Sequence, residues 1–95
     1  MVTEFAEIDV KPGHEEAFIA GVAASKPLFL AFAACHALEL HRSIEAPGHF
    51  VLNIKWDDVA AHEAFRASPD FQTWRGHVGH TFAAPPKVWH SHTVG

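Results

Sequence analysis

The stretch CHALELHRSIEAPGHFVLNIKW, Cys35–Trp56, decides the fold of this 95-residue chain, because it has the pattern of two strands joined by a short turn. Apolar and polar residues alternate in both halves, as in strands that place one face on a core. The turn-forming segment Glu45-Ala46-Pro47-Gly48 lies between them. The stretch therefore predicts a β-hairpin. Its second strand carries its apolar residues on one parity: Phe50, Leu52, Ile54 and Trp56.

A strand and a helical segment precede the hairpin. Val2–Val10 alternates and stops at the turn residues Lys11-Pro12-Gly13, which indicates a first strand. From His14 to about Ala31 the chain is rich in Ala, Glu and Phe, which predicts a helix. Proline lacks the amide hydrogen that a helix interior needs, so we expect Pro27 to break this helix.

Two helical segments and a last strand follow the hairpin. Asp57 or Asp58 can cap a short helix that runs to about Ala67. Ser68-Pro69 has the pattern of a new helix start, with serine as the N-cap and proline in the first turn. Helical structure ends at two consecutive prolines, and Val88–Thr93 then has the pattern of a final strand.

The order β-α-β-β-α-β is the ferredoxin-like motif of the α+β class, in which helices cover one face of an antiparallel sheet. The other face is left uncovered, and we expect it to display Phe5, Val51 and Trp89 among polar residues. An exposed patch with large aromatic side chains usually marks an association surface. We therefore predict a homodimer that closes sheet to sheet.

Composition and charge narrow the class of protein. A chain of this length has too little interior for two cores, so residues 1–95 are expected to form a single domain. The net charge of −4 and the lack of a Lys/Arg run argue against nucleic acid as a partner. Polar residues interrupt the longest apolar-rich tract, Ala17–Leu40, so no membrane helix is expected. Cys35 is the only cysteine, which fits a reducing cytoplasm.

One histidine is placed where an apolar residue is expected. Val59, His62 and Phe65 follow helical spacing, so the imidazole shares the stripe that should face the core. Histidine exchanges a proton near neutral pH, which makes His62 a candidate for acid-base chemistry. The alternative is a structural core histidine that is hydrogen-bonded to the backbone.

Four segments carry a resemblance to a known family: VKPGHEEAF (10–18), LELHRSIEAPGHFVL (38–52), HEAFRASPDFQTWR (62–75) and PPKVWH (85–90). Together they resemble the antibiotic biosynthesis monooxygenase superfamily of small dimeric α+β barrels. The resemblance implies a homodimeric barrel. Its members include cofactor-independent oxygenases of aromatic or quinol substrates, haem-degrading enzymes and proteins with no known reaction.

The oxygenases of this superfamily imply a set of site residues. They place an Asn and a Trp near the end of the third strand and an Arg further along, where this chain has Asn53, Trp56 and Arg75. His62 is then the expected base, Asn53 and Arg75 hold the substrate anion, and Trp56 forms a flat wall. The chain has no tyrosine, so a tyrosine-dependent step is excluded.

The resemblance therefore implies oxidation of a small aromatic or quinol molecule by dioxygen, without a bound cofactor or metal. Phe65 completes the expected substrate-binding set with Trp56 and His41. His41 lies beside Glu39 and either lines a cavity or hydrogen-bonds across the dimer.

Three alternatives stay open. The first is a non-enzymatic barrel that binds a small apolar molecule; an apolar pocket bordered by His62 and Asn53 would favour catalysis over it. The second is haem breakdown, but the residues that haem-degrading relatives use correspond here to Ile8, Phe65 and Arg75, which all differ. The third is a metal site at His90-Ser91-His92, whose two rings should point to one side of a strand, although no carboxylate or cysteine nearby in sequence completes it.

Overall fold

A computed structural model describes residues 1–95 as one sheet covered by helices. The elements are β1 Val2–Asp9, α1 Glu15–Ala31, β2 Cys35–Arg42, β3 His49–Trp56, α2 Val59–Arg66, α3 Pro69–Val78, a 3-10 turn Gly79–Thr81, and β4 Lys87–Ser91. This is the predicted ferredoxin-like α+β fold. The last strand is shorter than the predicted Val88–Thr93, because pairing with β1 stops at Ser91.

The four strands form an antiparallel sheet in the order β2-β3-β1-β4. The predicted hairpin is confirmed as β2 and β3, with Leu40 opposite Leu52. Its turn is closed by the Ser43 amide, which donates to the His49 carbonyl at 2.9 Å. The Ser43 hydroxyl also accepts from the Ala46 amide at 3.0 Å. Strand β1 pairs with both β3 and β4. Residues near the N-terminus therefore lie next to residues near the C-terminus.

The core lies between the sheet and the helices. On β1, Ala6 and Ile8 are buried, and on β3 the predicted set Phe50, Leu52, Ile54 and Trp56 is buried, so the alternation is confirmed. Helix α1 contributes Phe29, whose ring centroid lies 4.5 Å from that of Phe65 and 5.3 Å from that of Trp74. Such aromatic packing adds to the free energy gained by removing apolar area from water.

Helix α1 runs without interruption, so the predicted break at Pro27 is wrong. Pro27 lies on the exposed side of the helix, and its neighbours Ser25 and Phe29 are buried. The carbonyl four residues earlier, on exposed Ala23, can therefore bond to water, while packing holds the helix on both sides of the proline. None of the helices combines the length and apolar character required to cross a bilayer.

The second sheet face carries no helix and displays the residues that were predicted for it. Phe5 and Trp89 stack with centroids 4.6 Å apart, and Trp89 is 45% exposed. The Trp89 indole nitrogen donates to Glu7 at 3.2 Å. We call this surface the open face; it also carries Glu39, His41, Val51, Asn53 and Lys55.

One close helix contact yields a stability prediction. A Cβ atom on Gly21 would lie 2.8 Å from the His77 carbonyl oxygen and 2.8 Å from Val78 Cγ1. Gly21→Ala should therefore lower the free energy of unfolding by about 1–3 kcal/mol, measured by urea titration. The matched control is Gly76→Ala in α3, where the added methyl meets nothing within 4 Å and should raise it by about 0.5–1 kcal/mol. Equal changes in both variants would contradict the steric explanation.

Candidate functional site

A carboxylate lies on the core face of the first strand. Glu4 shares the parity of Ala6 and Ile8 and is only 5% exposed. The sequence interpretation missed it, although a glutamate on the apolar parity of an amphipathic strand was a visible signal. The Trp56 indole nitrogen donates a hydrogen bond to Glu4 Oε1 at 3.0 Å.

His62 points inward from α2 and meets this carboxylate. Helix α2 begins at Val59 and is capped by Asp58, whose side chain accepts from the Ala61 amide at 2.8 Å. This start places His62 on the buried side. The ring stacks on Trp56 with centroids 5.1 Å apart and an interplanar angle of 18°. His62 Nε2 lies 3.3 Å from Glu4 Oε1, and Nδ1 lies 2.7 Å from His90 Nε2. The partners are side chains, not the backbone groups that the alternative of a structural core histidine assumed.

Burial changes the protonation of both groups in opposite directions. It raises the pKa of Glu4 from its usual 4.5 to about 7, although the Trp56 hydrogen bond and the Arg66 charge oppose the rise. Burial also lowers the pKa of His62 from 6.5 to about 4, helped by the nearby His90 and Arg66 charges. At neutral pH His62 is therefore uncharged, and Glu4 is the group poised to exchange a proton.

Glu4 and His62 border a cavity of about 590 Å³ between the sheet and the helices α2 and α3. Of its 17 lining residues, 11 are hydrophobic, and they include Phe65, Phe71 and Trp74. This volume lies within the range of pockets that hold small organic ligands, about 300–1,000 Å³. The remaining lining includes two guanidinium groups, Arg66 and Arg75. The arrangement suits an apolar, flat molecule with an acidic group.

The sheet separates the predicted site residues into two groups. His62, Phe65 and Arg75 line the cavity. Trp56 is completely buried and stacks on His62 outside the lining, so the expected flat wall of the cavity is not Trp56. Asn53 and His41 lie on the open face, because side chains of a strand alternate and these positions have the opposite parity to Trp56 and Leu40. No single pocket is therefore bordered by both His62 and Asn53, the arrangement that would have favoured catalysis, and Asn53 does not reach the cavity beside His62.

Asn53 belongs to a second hollow of about 310 Å³ on the open face, with Thr3, Phe5 and Lys55. Its Oδ1 atom is buried and has no hydrogen-bond partner within the chain. His41 on the same face is exposed and hydrogen-bonds Glu39 at 2.8 Å. Both residues are placed to meet a molecule that covers the open face.

The histidines do not assemble into a metal-binding group. No cluster of three or more His, Cys, Asp or Glu side chains has the arrangement of a metal site. His90 contacts His62 on the helix side, whereas His92 borders the hollow on the open face, so the expectation that both rings point to one side is wrong. His62 contacts Glu4 and His90 through different ring nitrogens, a geometry that prevents one ion from binding all three side chains.

Comparison with known proteins gives a consistent family. The family model for antibiotic biosynthesis monooxygenases matches residues 1–76. A Bordetella bronchiseptica crystal structure, provisionally named as such a monooxygenase, shares 49% identity with a TM-score of 0.96 and covers 98% of this chain and 96% of its own. A similarly named Nitrosomonas europaea protein shares 20% identity over 100% of both chains, with a TM-score of 0.87. The uncharacterised Bacillus subtilis protein YczJ is 28% identical over 99% of this chain and 100% of its own.

Proposed function

Because this chain belongs to the antibiotic biosynthesis monooxygenase family, we propose that it oxidises a small aromatic or quinol substrate with dioxygen in the cavity beside Glu4 and His62. The observation that carries the proposal is a buried carboxylate whose pKa is raised to about 7 at the wall of a mostly apolar cavity. A general base is most effective when its pKa lies close to the working pH, so Glu4 is suited to act at neutral pH.

The proposed reaction needs no bound cofactor. At the CH₂ group of an anthrone, or of the keto tautomer of a quinol, the base removes one proton, and the resulting anion passes one electron to dioxygen. The substrate radical and superoxide combine to a peroxide, which takes up the proton and loses water to leave a carbonyl. The balance is CH₂ + O₂ → C=O + H₂O, so one oxygen atom enters the product and the other leaves as water. An apolar cavity favours the first step because it excludes competing water.

Each lining residue has a proposed task in this reaction. Glu4 accepts the substrate proton, and His62 exchanges that proton with it across 3.3 Å. Arg66 and Arg75 line the same cavity and supply positive charge to the substrate anion. Phe65 packs against the ring, and Trp56 holds Glu4 through its indole hydrogen bond.

The same cavity supports a second candidate, storage or transport of a small apolar molecule without turnover, since most of its lining is apolar. Oxygen consumption decides between the two. We expect the native protein to consume dioxygen with one or more members of a panel of quinols and anthrones, in buffer containing a chelator, with one carbonyl formed per dioxygen. Saturable binding of these compounds without uptake would support the binding role, and uptake abolished by the chelator would contradict the cofactor-free reaction.

We also propose that the open face pairs with that of a second copy. The stacked Phe5 and Trp89 rings and the unpartnered Oδ1 of Asn53 support this, because a buried acceptor without a donor costs free energy that a partner can restore. The chain is proposed to act as one domain over residues 1–95, since β4 pairs with β1. Its single thiol, Cys35, is buried, and we propose the reducing cytoplasm as its compartment.

The proposed dimer predicts a change in mass. Native protein should sediment at twice 10.4 kDa. Trp89→Glu should weaken dimerisation at least about tenfold, because it replaces an exposed aromatic ring stacked on Phe5 by a charged group. Ile44→Glu is the matched control, since Ile44 is 90% exposed in the hairpin turn, outside the strands that form the open face. A native monomer, or equal masses for both variants at every concentration, would contradict the interface.

A further inference from the structure

Three side chains from three separate elements lie in contact one after another, starting at the cavity wall: Glu4, His62 and His90. We propose that Glu4, His62 and His90 are a proton relay that carries a proton between the cavity and solvent, an inference that rests on the proposed function for its catalytic meaning. The relay gives His90, which does not line the cavity, a part in the reaction.

The atoms that face each other along the line are close at both steps. Glu4 and His62 line the cavity, and His62 Nε2 lies 3.3 Å from Glu4 Oε1. The other ring nitrogen, Nδ1, lies 2.7 Å from His90 Nε2. His90 lies on β4, the edge strand of the sheet, and is only partly buried, so it is the most exposed of the three side chains. The Trp56 ring supports both inner members, by its hydrogen bond to Glu4 and its stacking on His62.

Two proton arrangements fit these contacts, and their difference is the transfer itself. In the first, protonated Glu4 donates to His62 Nε2, and His62 Nδ1 donates to His90 Nε2. In the second, His62 Nε2 donates to the Glu4 carboxylate, and His90 Nε2 donates to His62 Nδ1. The change moves one proton from Glu4 to His62, one from His62 to His90, and releases one from His90 Nδ1 to solvent. His62 stays neutral at both ends and only changes its tautomer.

The charged groups around His62 favour a relay in which this ring stays neutral. Arg66 from α2 and His90 from β4 both lower the pKa of His62, in addition to its burial. Arg75 from α3 is the other cationic group on the cavity wall, and Glu4 from β1 is the one carboxylate there. Cys35 from β2 lies near enough to Glu4 for the carboxylate to contribute to its raised pKa, and β3 supplies the uncharged Trp56. The stable form of His62 at the centre of the relay is therefore the neutral imidazole, with one ring nitrogen facing Glu4 and the other facing His90.

The first test observes the tautomer directly and needs no substrate. In protein with ¹⁵N-labelled histidine, the NMR signals of His62 should change from the Nδ1–H to the Nε2–H form as pH rises through about 7, where Glu4 loses its proton. Glu4→Gln should remove this change. A His62 ring that keeps one tautomer from pH 5 to pH 9, or that changes equally in Glu4→Gln, would overturn the relay even if the protein proves to bind ligands without oxidising them.

The second test separates proton transfer from mere support of the His62 ring. His90→Gln retains a side chain that can donate to or accept from His62 Nδ1 but cannot pass a proton onward. Turnover in weakly buffered solution should fall by about 10-fold to 100-fold and should recover in a saturable manner with added imidazole. His80→Gln, at an exposed residue of the 3-10 turn, is the control and should match the native rate. Native turnover in His90→Gln, or a loss that imidazole does not restore, would overturn the role of His90.

Discussion

Glu4→Gln is expected to lower turnover by about 100-fold to 10,000-fold, the range that positioned proton acceptors contribute. Glutamine keeps the size of the side chain and an oxygen that accepts the Trp56 hydrogen bond, but it cannot take the substrate proton. In the native protein kcat/KM should fall as pH drops below about 7, because the base must be ionised and the pKa of Glu4 is about 7. Oxygen uptake between pH 5 and pH 9 measures both effects.

The matched control for this substitution is Glu63→Gln. Glu63 lies on α2 next to His62 but is exposed, so loss of its charge should leave turnover within about twofold of native. A pH profile that keeps its limb near pH 7 in Glu4→Gln would show that another group is the base. An unchanged rate in Glu4→Gln would remove the carboxylate from the mechanism.

The Glu4 and His62 pair also predicts an unusual dependence of stability on pH. In the unfolded chain between pH 4.5 and pH 6.5, the glutamate is ionised and the histidine is protonated. In the folded chain, the pKa of Glu4 is about 7 and the pKa of His62 is about 4, so the one proton resides on the carboxyl group instead. Folding therefore moves a proton within the pair without binding or releasing one, and the pair adds no slope to stability in this window.

In each single variant, the remaining partner should make the free energy of unfolding depend on pH between pH 4 and pH 7. In Glu4→Gln, only the unfolded state protonates His62, so the free energy of unfolding should decrease by on the order of 3 kcal/mol as pH falls from 6.5 to 4. In His62→Gln, only the folded state keeps the Glu4 proton. The free energy of unfolding should therefore decrease by on the order of 3 kcal/mol as pH rises from 4.5 to 7.

Urea titrations at half-unit pH steps from 4 to 7.5 test this pattern. The double variant Glu4→Gln/His62→Gln supplies the background from all other groups, and native protein should run parallel to it between pH 4.5 and pH 6.5. Single variants whose curves also run parallel to the double variant would contradict the proton shift on folding. That result would leave both groups with ordinary titration in the folded chain.

Local patterns in the sequence were sufficient for most of the fold. The hairpin, the two helix starts after it, and the open face with Phe5 and Trp89 follow from alternation, turn residues and helix-start signals. Asp58 caps α2 with its side chain, whereas Ser68 precedes Pro69 at the start of α3 without a side-chain capping hydrogen bond. Pro27 was misjudged because a local rule about proline does not register the buried residues on either side of it. The inward direction of His62 was predictable from helical spacing, whereas its partners were not.

The sequence by itself determined which face most side chains of a helix or strand occupy, because the periods of helices and strands are properties of the local backbone. Only the tertiary structure decided which faces meet. Strand pairing sets Glu4 opposite His90, and the packing of α2 brings His62 into contact with both. These three residues are far apart along the chain. Asn53 and Trp56, close in sequence, end on opposite sides of the sheet. Strand pairing and burial, which exist only in the assembled fold, raise the pKa of Glu4 from its usual value to about 7.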